Sequence, residues 1–176
     1  MAKKIQIISI ISTLATVFAV VWYWVTGLPV AMILAISFGT TAYHFLMRLM
    51  VGWVIDRILH NRVDYRAGWF RVGERELKFY KKIGLKGWKK HLPTYDPDTF
   101  DVKKHSWDEI AQATCQAELV HEAIVVLSFV PILAAIPFGE LAVFVITSVV
   151  AAAFDLLFVM LQRFNRTRIV RLIGKL

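Results

Sequence analysis

The sequence predicts an all-α integral membrane protein with four transmembrane helices, arranged as two hairpins joined by a cytoplasmic interfacial segment. Three observations predict it. First, 57% of the 176 residues are hydrophobic and 19% are charged, with a mean hydropathy of +0.56, whereas soluble domains carry about a quarter charged residues. Second, the apolar residues fall into four runs, each close to the roughly 20 residues a helix needs to cross a hydrocarbon core. Third, 21 Lys+Arg stand against 13 Asp+Glu, a formal net charge of +8, and all the basic residues except Arg48 lie outside the apolar runs. Abundant Leu, Ile, Val, Phe and Trp exclude disorder. A single cysteine, Cys115, excludes an intramolecular disulfide and a cysteine-based zinc cluster. The chain therefore reads as one membrane domain over residues 1–176.

The first span, residues 5–26, has no charge. Lys3 and Lys4 precede it as in a signal peptide, but it is longer than a signal core of about 7–15 residues. Trp22, Tyr23 and Trp24 also stand where cleavage needs small residues, so it is expected to be retained, with these rings in an interfacial belt. The second span, 30–55, is interrupted by Arg48; the third, 118–137, carries His121 and Glu122; the fourth, 141–162, carries Asp155. The turns Gly27-Leu28-Pro29 and Gly139-Glu140 hold no basic residue, whereas residues 56–117 hold most of them. Basic residues are retained inside, which predicts that both termini and residues 56–117 are cytoplasmic.

In that middle segment Trp69, Phe70, Leu77, Phe79, Tyr80, Ile83, Leu85, Trp88 and Leu92 interleave with Arg71, Arg75, Lys78, Lys81, Lys82, Lys86, Lys89 and Lys90. Such a pattern suits an element lying among anionic headgroups with its rings at the acyl boundary. Membrane lipids are thus the expected partner, and no nucleic acid, because the flanking spans already hold the segment against a bilayer. Pro93, Asp96, Pro97 and Asp98 mark a loop. Ser106-Trp107-Asp108-Glu109 has the form of a capping box, so a helix should begin near Trp107 and run unbroken into the third span, with Pro131 and Pro137 as positions for a kink.

That helix carries the main constellation. At about 100° per residue Asp108, Cys115, Glu118, His121 and Glu122 share one face. Counting about 1.5 Å per residue from the inner boundary places His44 and Asp155 at a similar depth, with Arg48 one turn from His44. Asp155, Gln162 and Arg166 form a stripe on the fourth span, with Arg163 beside it. Ionisable groups inside hydrocarbon are costly and mark function. A lock between hairpins, pairing Arg48 with Asp155 or Glu122, is one use of them. His121 beside Glu118 is another, since an imidazole steadied by a carboxylate is a general base. Glu118-x-x-His121 also has di-iron spacing, but the second such motif is missing, so no metal is expected. Cys115 remains a candidate acyl-carrying nucleophile. The outer half of every span is apolar, which suits a site opening to one side better than a proton or ion path.

Gln116-Ala117-Glu118-Leu119-Val120-His121 and Gln162-Arg163-Phe164-Asn165-Arg166-Thr167-Arg168, with Trp69-Phe70 and the stretch from Tyr80 to Pro93, resemble motifs of the glycosyl-4,4'-diaponeurosporenoate acyltransferase family. Thr167 stands where the family motif has proline, and the first hairpin finds no counterpart. The resemblance implies a small enzyme of a bacterial cell membrane, in carotenoid or glycolipid synthesis, that esterifies a sugar hydroxyl with a fatty acyl chain. His121 would be the base, oriented by Glu118, and Arg163, Asn165, Arg166 and Arg168 would hold donor phosphates or the oxyanion. By their polarity and depth, and not by the resemblance, His44, Arg48, Glu122, Asp155 and Gln162 would form a supporting polar layer. The donor would be acyl-CoA or an acyl carrier protein drawn to the basic segment, the acceptor a hydrophobic lipid, and no cofactor would be permanently bound. The competing expectation is a non-enzymatic membrane scaffold or ion-handling module whose buried charges lock the hairpins.

Overall fold

The computed structural model describes residues 2–88 and 98–174. Lys89, Lys90 and Leu92 of the aromatic and basic pattern, and Pro93, Asp96 and Pro97 of the expected loop, lie outside the described residues. Four helices are long and apolar enough to span a membrane. Among the described residues there is no strand.

Helix α1 (Ala2–Thr26) and helix α2 (Pro29–Leu59) form the first hairpin. Its turn needs the left-handed Gly27 (φ 65°), and Pro29 sits in the first turn of α2, where an amide would be unpaired anyway. Small side chains bring the two helices together. Ser9 and Ser12 of α1 are buried, their hydroxyls donating to the Ile5 and Ile8 carbonyls at 2.9 and 2.7 Å, and on α2 Ala31, Ala35 and Ala42 are buried along one stripe. A Cβ on Gly39 would touch Thr16 Cγ2 at 3.4 Å. Ile10, Leu14, Phe18 and Trp24 remain exposed along α1, a surface suited to lipid rather than water.

Helix α2 outlasts its expected boundary and ends in left-handed His60, whose amide donates to the Asp56 carbonyl at 3.0 Å. The connecting segment is more ordered than an interfacial tether. It contains a 3₁₀ turn (Gly68–Phe70), α3 (Glu74–Lys82), α4 (Leu85–Trp88) and a second 3₁₀ turn (Asp98–Phe100). Tyr80 and Leu85 are buried against Leu161 and Phe164, and Tyr65 and Phe70 against Ala111 and Cys115. Each large side chain so buried contributes about 1.5–3 kcal/mol.

The second hairpin starts at α5 (Trp107–Leu127), capped as the sequence predicts. The Glu109 amide donates to Ser106 Oγ at 3.3 Å and the Ser106 amide to Glu109 Oε2 at 2.7 Å. The helix runs unbroken from Trp107 into the third span, as expected, and its break falls beside Pro131, one of the two positions expected for a kink. It ends at Leu127, becomes a 3₁₀ turn over Val130–Ala134 and then α6 (Ala135–Phe138), because Pro131 has no amide to donate and its ring disfavours the α conformation before it. Left-handed Gly139 and Glu140 lead into α7 (Leu141–Ile173), which continues well past residue 162. Helices α5 and α7 pack along their length, and Met47 and Val51 of α2 pack on Ile124 of α5. Tyr43 Oη of α2 donates to the Leu127 carbonyl at 2.8 Å, where that carbonyl has lost its helical partner. The long connection between the hairpins therefore leaves from the end of the bundle opposite the two tight turns, the basic end.

Candidate active site

Two ionic clusters occupy the seams between helices. The first joins both hairpins. Arg48 of α2 donates through Nη2 to Asp155 Oδ2 on α7, while its Nη1 donates to the His44 carbonyl at 2.9 Å. The other Asp155 oxygen meets His121 Nδ1 of α5 at 2.9 Å. Asp155 is buried, so its two oxygens are divided between a guanidinium and an imidazole. The His121 ring stacks on Phe158 with centroids 4.7 Å apart and planes 11° from parallel. A carboxylate only accepts, so Nδ1 carries the hydrogen that faces it, and the ring nitrogen left for a lone pair in a neutral imidazole is Nε2. The His121 side chain is 23% exposed, enough to be reached.

The second cluster lies nearer the basic end. Glu118 is completely buried and takes Arg163 Nη1 at 2.7 Å on Oε1 and Arg166 Nη2 at 2.5 Å on Oε2. The latter contact is an ion pair; the hydrogen bond from Arg166 Nη2 goes to the Phe70 carbonyl at 2.9 Å. Arg163 also grips Glu76 of α3 in a fork, Nε to Oε1 at 2.6 Å and Nη2 to Oε2 at 3.2 Å. It further donates to the Trp69 and Arg71 carbonyls at 3.2 and 3.0 Å. The Arg166 guanidinium lies over the Phe70 ring, 4.9 Å from its centroid. Two arginines and two glutamates thus balance in charge and fasten the connecting segment to α5 and α7.

Burial raises the Glu76 carboxyl, but hydrogen bonds from Arg163 and Tyr80 outweigh it and hold the group below the ordinary carboxylate range. A carboxyl depressed on folding stabilises the folded state above its unfolded value, and that contribution is lost as pH falls through the lower, folded value. Thermal melting of the detergent-solubilised protein should show no contribution from Glu76 to pH dependence across the neutral range. Below roughly pH 4.3 the melting temperature should fall more steeply in the parent than in Glu76→Gln.

The clusters correct several expectations. Glu118 does not orient His121: the arginines take both its oxygens, and Asp155 fills that place. Arg163 and Arg166 do not stand open to a phosphate, because Glu76 and Glu118 hold them. Of the two partners expected for Arg48, Asp155 is the one it meets, and Glu122 Oε2 accepts instead from Trp69 Nε1 at 3.1 Å. Cys115 is fully buried in the cluster of Tyr65, Phe70 and Ala111. Gln162 and Asn165 are half-buried on α7 and Arg168 is exposed. Sequence reasoning missed Glu76 and gave no role to Gln116. Gln116 Oε1 accepts from the Asn61 amide at 2.6 Å and its Nε2 donates to Asp56 at 3.0 Å, tying the end of α2 to α5. An acidic residue four positions before Tyr80 in a basic stretch was the signal for Glu76, since Tyr80 Oη donates to it.

No curated protein and no solved structure matches the chain. A family model described as glycosyl-4,4'-diaponeurosporenoate acyltransferase matches residues 64–175. The matched region includes α3, α5 and α7, and with them Glu76, Glu118, His121, Asp155, Arg163 and Arg166, while α1 and α2 lie outside it. With nearly two thirds of its length in that match, the chain belongs to the glycosyl-4,4'-diaponeurosporenoate acyltransferase family.

Proposed function

We propose that the protein transfers a fatty acyl chain from a thioester donor to a hydroxyl of a lipid-linked sugar, a glycosyl carotenoid in the sense of the family name or a related glycolipid. The observation that carries this reading is the His121–Asp155 pair, with Asp155 steadied by Arg48 and Nε2 left for a substrate hydroxyl. Nε2 takes the hydroxyl proton as the oxygen attacks the thioester carbon, and Asp155 stabilises the imidazolium that forms. Acyl chains lie between the spans. The bundle sits in a bacterial cell membrane with both termini and residues 56–117 in the cytoplasm, where acyl-CoA or an acyl carrier protein supplies the chain. Asn165 lies between the paired arginines on α7 and Arg168 two residues beyond them, and no described carboxylate holds either, so of the four motif residues these are the ones assigned to donor phosphates. The fully paired Glu118 cluster favours the lock reading for those residues alone.

Lipid mass spectrometry of cells with the protein, without it, and with His121→Ala at equal abundance tests the reading. The parent should yield lipid species heavier by one acyl chain that are missing from the other two. Identical lipid profiles in all three would sink it.

A further inference from the structure

Acyl transfer needs a donor for the carbonyl oxygen as negative charge develops there, and the residues assigned so far supply none at the depth of His121. Asn165 stands seven residues, about 10 Å along the axis, from Phe158, on which His121 stacks. Arg48 is turned to Asp155, and Arg163 and Arg166 to glutamates. Two buried side chains, Ser148 and His44, have no partner for any polar side-chain atom among the described residues, and Ser148 stands about 10 Å along α7 from Asp155, toward the outer end. His44 is 7% exposed, and neither of its ring nitrogens has a partner among the described residues.

Its placement follows from α2. The alanine stripe of Ala31, Ala35 and Ala42 faces α1, and His44 lies about 140–180° around the helix from that stripe, on the side of Met47, Arg48 and Val51 that meets the second hairpin. The Arg48 guanidinium bridges the His44 carbonyl and the Asp155 carboxylate, so one guanidinium separates this turn of α2 from the group that holds His121. A buried imidazole with an unmade hydrogen bond is costly, and an apolar residue of similar size would avoid that cost. The expense makes sense where a substrate atom supplies the partner.

We propose that His44 is a catalytic residue contributed by the first hairpin, its N–H donating to the thioester carbonyl oxygen while His121 acts on the acceptor hydroxyl. The inference rests on the acyl-transfer reading above. The hydroxyl oxygen forms the C–O bond and its proton passes to His121 Nε2. The carbonyl π pair moves to the oxygen held by His44. Collapse restores the carbonyl and breaks the C–S bond, and the departing thiolate takes the proton back from His121, leaving ester and thiol. The hairpin outside the matched residues 64–175 then completes the reaction centre.

The test uses membranes from cells expressing the full chain, which supply the acceptor, with palmitoyl-CoA as the donor probe. Initial rates of acylated-lipid formation are measured at equal protein abundance for the parent, His44→Leu, His44→Gln and His121→Ala. His44→Leu should lower the maximal rate about 10²–10³-fold with little change in KM for palmitoyl-CoA and with an unchanged or higher melting temperature. His44→Gln, which restores a neutral N–H, should recover to within about tenfold of the parent. A rate lost in His121→Ala but kept in His44→Leu overturns the role of His44 alone. If His44→Leu does not assemble, a His44→Gln rate as low as that of His121→Ala overturns it. No product from the parent, or undiminished product from His121→Ala, overturns the acyl-transfer reading and this inference with it.

Discussion

Glu118→Ala should prevent stable assembly rather than merely slow a reaction. Glu118 is completely buried, and its carboxylate is shared by Arg163 and Arg166, the latter 2% exposed. Removing it leaves two guanidiniums with one carboxylate, Glu76, which reaches only Arg163. Breaking a buried ion pair from one side costs about 3–5 kcal/mol, because the surviving charge stays out of water without its counter-charge. That is a large fraction of the stability of a domain of this size. Folded protein recovered in detergent, judged by size-exclusion profile and thermal melting, should fall sharply in Glu118→Ala. His121→Ala should remain close to the parent, since its partner Asp155 keeps Arg48. Pairing Glu118→Gln with Arg166→Met should restore part of the loss, because both halves of one contact are then uncharged. A Glu118→Ala protein that folds like the parent but makes no product would return Glu118 to the chemistry and refute the lock.

This outcome differs from what the motif alone suggests, and the reason is physical. Glu118 and His121 are neighbours on one helix face, so a single sequence invites pairing them. Their real partners come from α7, 45 and 34 positions away, and only tertiary packing decides which acid meets which base. Depth was legible where pairing was not. A rise of about 1.5 Å per residue put Arg48, His44 and Asp155 in one layer before any contact was known, and the Arg48–Asp155 bridge lies there. The spans and the capping box were legible because hydropathy and local hydrogen bonding are properties of contiguous residues. The continuation of α7 beyond residue 162 was not, since falling hydropathy marks where apolar surface ends while the helix itself goes on. Nor was the docking of residues 65–85, where the rings of Tyr65, Phe70 and Tyr80 pack on α5 and α7 while Trp69 and Phe79 stay exposed; an aromatic and basic pattern alone does not separate rings that face lipid from rings that face protein.

Asp155→Asn should lower the rate of acylated-lipid formation by about 10²–10⁴-fold, comparable with the loss of a general base. The substitution keeps volume and one acceptor oxygen but replaces a charged oxygen with an N–H donor. If that N–H faces His121, Nδ1 must accept, the hydrogen moves to Nε2, and the lone pair that would take the hydroxyl proton is gone. If the amide oxygen faces His121 instead, the tautomer survives but the imidazolium loses its counter-charge, and Arg48 meets an N–H group where it had a carboxylate. Either orientation slows transfer, and only the second retains a usable base, which sets the width of the expected range. Arg48 is 17% exposed and can turn toward water, so the fold should suffer much less than in Glu118→Ala. The measurement is the rate of acylated-lipid formation per folded protein, compared with melting temperature for the same samples. A folded Asp155→Asn protein with the parent rate, beside an inactive His121→Ala, would mean that His121 works without a carboxylate and that Asp155 serves only to bind Arg48.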